Sequence, residues 1–215
     1  MLLGNHAIKR RYNLNLLVVT IEIVFIIVIP ILILYIKSNW SLRVIILCCA
    51  SIPILWYFTY APIHELSHVA GAYLVGRKVT YIKLIPSFWK GEVGRAWINS
   101  VGLSDNWRIL IEGSFPYLLD VVFIIIGIIV LQKYFHTRPF LFGFLFMLLC
   151  LRPTFDLICE TIAFLSGNKG DLYFIHKTTG TYFIGLFLTI SIGLGLFSIY
   201  KILKCSIRNS KSVDA

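Results

Sequence analysis

His64-Glu65-Leu66-Ser67-His68 places two imidazoles four residues apart, with a carboxylate beside the first. On a helix, residues four apart lie on one face. Two neutral imidazoles so placed can grip one Zn²⁺, and Glu65 then stands beside the ion's open position as a general base. In a chain with only five histidines, chance produces the pattern in roughly one sequence in 400. The motif also sits inside an apolar run, where two histidines and a glutamate are costly unless something compensates them. A metal ion does so; the competing reading is a polar interface between helices with no metal. Ala61, Gly71 and Ala72 share the helical face and leave room for another segment to approach.

A catalytic zinc normally takes three protein ligands and a water, so one ligand is owed from elsewhere. His6, His136 and His176 lie outside the apolar runs, which points to a carboxylate: Asp156, Glu160 or Asp171. By depth, His64 and His68 are the 21st and 25th residues of the run Val44–Gly76, while Asp156 and Glu160 are the 18th and 22nd of the run Pro139–Leu165. Pro153 is placed to break that helix and turn Asp156 inward. Asp171 follows the turn-forming Ser166-Gly167-Asn168-Lys169-Gly170 and can open a short helix folding back toward the motif. Each has a plainer reading: Arg152 and Asp156 are four apart and can pair with each other, and Asp171 can be a helix N-cap. Glu22, Glu112 and Asp120 also fall within apolar runs. They read as paired with neighbours or snorkelling, with support of the zinc ligands as the alternative.

The elements that must position these groups are set by composition. Of 215 residues, 58% are hydrophobic and 14% charged, and mean hydropathy is +0.84. Soluble domains carry about 25% charged residues, so soluble, disordered and disulfide-scaffold classes are excluded. The expected class is an all-α polytopic membrane protein forming one domain over 1–215. About five spans are expected, at 14–36, 44–76, 109–131, 139–165 and 182–203, since about 20 apolar helical residues cross a bilayer. The second, 33 residues long and holding Pro53 and Pro62, reads as bent or broken. The first, too long for a signal-peptide core and followed by no cleavage site, reads as a retained span. Parity puts the C-terminal ends of the second and fourth spans on the same side of the membrane.

Segment 77–108 breaks the pattern. Val79–Ile85 and Arg95–Val101 are rich in β-branched and aromatic residues, with Lys90, Gly91 and Gly94 between them. This predicts a small membrane-associated β-hairpin, with Trp89, Trp97 and Trp107 at the interface. The net charge of +10 lies between apolar runs and at the ends, where basic residues meet lipid headgroups. No nucleic-acid partner is expected. The five cysteines form no C-x-x-C pair and read as small apolar packers.

HELSH within a span, followed by Val69-Ala70-Gly71-Ala72, resembles the site-2 protease family of intramembrane zinc metalloproteases. Gly113-Ser114-Phe115-Pro116 is loosely similar to that family's Gly-containing span, and the order of motif helix, surface hairpin, span and aspartate-bearing span also matches over roughly residues 44–172. There is no PDZ-like insertion. The resemblance implies a zinc endopeptidase with Glu65 as catalytic base and His64, His68 and an aspartate on the metal. In the family, that aspartate sits in an Asn/Pro-rich turn followed by Gly. Neither Arg152–Asp156 nor Asn168–Asp171 reproduces the turn; Asp171 matches its placement better, with Asp156 as the alternative. The expected partners are a transmembrane protein or peptide substrate and the bilayer of the cell membrane. The hairpin's edge strand can hold a substrate extended. Two rivals stand beside this reading: a zinc-binding membrane protein without proteolysis, serving transport, sensing or immunity, and a zinc hydrolase of lipid amides.

Overall fold

In hydrocarbon every backbone N–H and C=O must be bonded within its own segment, so apolar runs of this length fold as helices. The computed structural model describes residues 42–85, 96–103, 105–134, 139–167 and 170–211, with a few positions between 20 and 32. The expected span at 14–36 therefore lies almost wholly outside the described residues. The element order is α1 (Leu42–Leu74), β1 (Lys78–Lys83), β2 (Trp97–Val101), α2 (Asn106–Tyr134), α3 (Pro139–Phe146), a π turn (Met147–Leu151), α4 (Arg152–Leu165), α5 (Asp171–Thr179) and α6 (Thr181–Lys211).

Among the described residues, three helical segments are long and apolar enough to cross a membrane: Asn106–Leu131, Leu141–Leu165 and Thr181–Ile202. Their outward faces are apolar too: Val122, Ile125 and Ile129 on α2 and Phe183, Leu186 and Ile190 on α6 are exposed. That is the inverse of a water-soluble bundle and suits contact with lipid.

The expected break in the second run is corrected. Helix α1 is continuous for 33 residues, through both Pro53 and Pro62. Each proline removes one backbone bond, and packing of α1 against α2 and the α3–α4 region holds the helix together. Pro153 does not break its helix either. It falls at the start of α4, directly after the π turn, where the N–H of Arg152 reaches back five residues to the Met147 carbonyl. The extra residue in that turn shifts the helical phase of α4, and Arg152, Thr154 and Asp156 all point into the interior.

The predicted hairpin exists as a two-stranded antiparallel sheet, with Val79 opposite Ser100 and Lys83 opposite Trp97. A bulge at Thr80 lies between Val79 and Tyr81. Its turn, at 86–95, lies outside the described residues. Tyr81 stacks on Trp97, and the Lys83 ammonium lies 4.6 Å from the Trp97 ring centroid.

One apolar core gathers Trp56 of α1, Phe142, Phe146 and Met147, Phe155 of α4 and Ile199 of α6. A second joins Tyr117 and Ile124 of α2 to Leu157 of α4, Leu172 and Ile175 of α5 and Ile184 of α6. The polar site lies between α1, α2, α4 and α5.

Candidate metal centre

Helix α1 carries His64 and His68 on one face, as their spacing requires, and each ring is fixed by its Nδ1. For His68, Nδ1 lies 2.9 Å from the main-chain oxygen of Glu112 on α2. A carbonyl only accepts, so Nδ1 carries the hydrogen. For His64, Nδ1 lies 2.7 Å from Oδ2 of Asp156 on α4, and donates to that carboxylate. Both Nε2 atoms are thereby left pointing into the site, 3.2 Å apart.

The third corner is Asp171, the first residue of α5. The chain turns through Gly167 (φ +81°), a conformation that favours glycine, and Gly170 takes the N-cap position. The Asp171 side chain is thus free of capping duty. Its Oδ2 lies 2.9 Å from His68 Nε2 and 3.5 Å from His64 Nε2. Zinc bound at 2.0–2.1 Å in tetrahedral geometry sets its ligand atoms about 3.3 Å apart. The three observed edges, 3.2, 3.5 and 2.9 Å, fit three corners of that figure. Two imidazole nitrogens and one carboxylate oxygen are a donor set that can hold a divalent ion. A proton on Nε2 is the alternative to a metal there, and would let either ring donate to the carboxylate. In that protonated, metal-free state burial works to raise the Asp171 pKa, and hydrogen bonds from His64 and His68 outweigh it and hold the carboxyl below the ordinary carboxylate range.

Asp156, the alternative ligand in sequence, has a different place. It is buried, with Oδ2 on His64 and Oδ1 accepting from the Tyr60 hydroxyl at 3.2 Å. A carboxylate behind a metal-facing histidine fixes that ring's tautomer and raises its basicity. The plainer reading of Asp156, a pair with Arg152, is not the one formed; Arg152, fully buried, bonds Asp120 of α2 instead. Glu160 lies one turn beyond Asp156, beside the cavity, with Oε2 3.4 Å from the Tyr117 hydroxyl and outside the ligand triangle. Glu65 is 9% exposed and lines the same cavity as His64, His68 and Asp171. That cavity is about 520 Å³, and Trp97 and Ile98 of β2 form one wall. His176 bonds Thr181 at 2.9 Å, away from the site, and His6 and His136 lie outside the described residues.

Sequence reasoning missed the Glu112 carbonyl, because a main-chain acceptor leaves no mark in residue type. It also missed the Tyr60 contact, although Tyr60 stands four residues before His64 on the same helical face. No family model, no curated protein and no solved structure matches this chain.

Proposed function

We propose that the chain is an intramembrane zinc endopeptidase of the site-2 protease type, resident in the cell membrane, with His64, His68 and Asp171 holding the ion. The observation that carries this reading is the convergence of three ligand atoms at tetrahedral spacing, with both imidazole tautomers fixed from behind and Glu65 in the same cavity. A five-span topology, with the segment at 14–36 as the first span, belongs to the same proposal.

Bound zinc would supply Lewis acidity, polarising the scissile carbonyl and making a water acidic enough to attack near neutral pH. Glu65 accepts the proton of that water as its oxygen bonds to the carbonyl carbon. The carbon–nitrogen bond then breaks, and Glu65 returns the proton to the departing amine. Asp156 and the Glu112 carbonyl keep both rings aimed through the cycle. Residues Trp97 and Ile98 of β2 line the cavity, and a strand placed there suits binding of a transmembrane segment held extended at the cut.

The test is metal analysis of detergent-purified protein together with cleavage of labelled transmembrane peptides. Wild type should contain about one zinc and cut. Glu65→Gln should keep the zinc and lose cleavage by at least 10²-fold. Full activity in Glu65→Gln overturns the mechanism. Zinc without cleavage by wild type of any membrane peptide selects a non-proteolytic role, and headgroup-specific amide hydrolysis selects a lipid substrate.

A further inference from the structure

The hairpin and the metal centre share one residue. Glu112 lies on α2 and uses its two ends differently. Its carboxylate faces the hairpin: Oε1 accepts from the Ser100 hydroxyl of β2 at 2.6 Å, and Oε2 pairs with Arg77 Nε at 3.1 Å. Arg77 closes the triangle, its Nη2 donating to the Ser100 carbonyl at 3.3 Å. The main-chain oxygen of Glu112 faces the other way and holds His68 Nδ1 at 2.9 Å. There is little slack behind it, since a Cβ on Gly71 of α1 would meet the Glu112 Cα at 3.0 Å and its carbonyl oxygen at 3.3 Å. Both Arg77 and Glu112 have side chains only 13% exposed, so this pair is screened from solvent more than an ordinary surface salt bridge.

We propose that Glu112 is a positioning residue that makes the hairpin part of the metal centre's outer shell. Ser100 and Arg77 hold the Glu112 side chain, this fixes the turn of α2 that carries its carbonyl, and the carbonyl fixes the His68 ring. The inference rests on the metal-site reading for its functional meaning. The tether itself is a statement about His68 and is testable without metal.

Two readouts separate these. In the metal-free full-length protein labelled with ¹⁵N-histidine, the His68 Nδ1–H should give a hydrogen-bonded, slowly exchanging signal. In cobalt-loaded protein, the visible ligand-field spectrum and chelator competition report the geometry and affinity of the centre. Ser100→Ala and Glu112→Ala should speed exchange of the His68 Nδ1–H about tenfold or more, and should shift the cobalt spectrum. They should also weaken cobalt binding about 10–100-fold, the usual effect of losing an outer-shell partner. Glu112→Gln keeps an acceptor for Ser100 and should recover most of the loss. Thr80→Ala removes a different hairpin bond, Thr80 Oγ1 to the Asn99 carbonyl at 3.2 Å. It should move neither readout, which separates the tether from general weakening of the hairpin. If Ser100→Ala and Glu112→Ala leave the His68 Nδ1–H signal unchanged, or if Thr80→Ala disturbs it equally, the tether is wrong, whatever the metal does. If wild type takes up no cobalt while the exchange effect appears, the tether stands and the metal reading falls.

Discussion

Imidazoles one turn apart occur on many helices; His64 and His68 differ in that both Nδ1 atoms are spoken for. That leaves two Nε2 atoms and the Asp171 carboxylate facing one point. The pattern of the pair was legible from residue spacing alone, because the helical repeat decides it. The division of labour between two aspartates was not, since it turns on which oxygen reaches which nitrogen after four helices have packed. The division is measurable. Asp171→Ala removes a corner of the ligand triangle and should abolish tight metal binding in equilibrium dialysis. Asp156→Ala should leave binding present but about 10–100-fold weaker, because it removes only the support behind His64. Asp156→Asn should fall between wild type and Asp156→Ala, since its amide oxygen still accepts from Nδ1–H. Equal, complete loss in Asp156→Ala and Asp171→Ala would contradict this division.

Among the elements, the long apolar runs and the β-rich segment between them were legible, because hydrophobic length and side-chain type govern both. The prolines misled. Pro53 and Pro62 predict a break in isolation, yet α1 runs through them, and Pro153 is accommodated by a π turn. Those outcomes depend on neighbouring helices that no local pattern encodes. Glycines show the same contrast. Gly113, within the Gly-Ser-Phe-Pro segment, lines the cavity, and an added Cβ there meets Ile175 Cγ1 at a comfortable 3.9 Å. The tight position is Gly71, where a Cβ would lie 3.0 Å from both the Glu112 Cα and the Phe115 Cβ. Backbone cannot yield as a flexible side chain does. Gly71→Ala should therefore push α1 from α2, lower stability by about 1–3 kcal/mol and loosen metal binding with it. Gly113→Ala should be near neutral in the same thermal-unfolding assay. A larger loss at Gly113 than at Gly71 would refute the assigned close approach.

At the scale of the molecule, the problem is carrying charge through an oily interior. Arg152 is wholly buried and Asp120 nearly so. They pair across α4 and α2, and the Arg152 guanidinium stands over the Phe123 ring. Buried Asp156, one turn along α4 from Arg152, bonds His64, so a line of buried polar side chains leads from this pair toward the site. Its existence was not legible in the sequence, where Arg152 has a nearer candidate partner in Asp156, four residues along the same helix. Packing decides otherwise, because Asp156 is claimed by His64. Such a pair does not by itself stabilise a fold: taking two ions out of water costs about as much as their attraction returns, whereas removing one partner strands the other. Asp120→Ala should accordingly lower stability by about 3–5 kcal/mol, enough to unfold a marginal protein in detergent. The double replacement Asp120→Leu with Arg152→Met removes both charges at similar volume and should recover most of that loss. Its metal affinity tells whether the pair also serves the site. If the double variant folds as well as wild type and binds zinc equally, the pair is structural only. If it folds but binds several-fold more weakly, the charges behind Asp156 help set the His64 ring, and the interior of the bundle and its metal centre form one electrostatic unit.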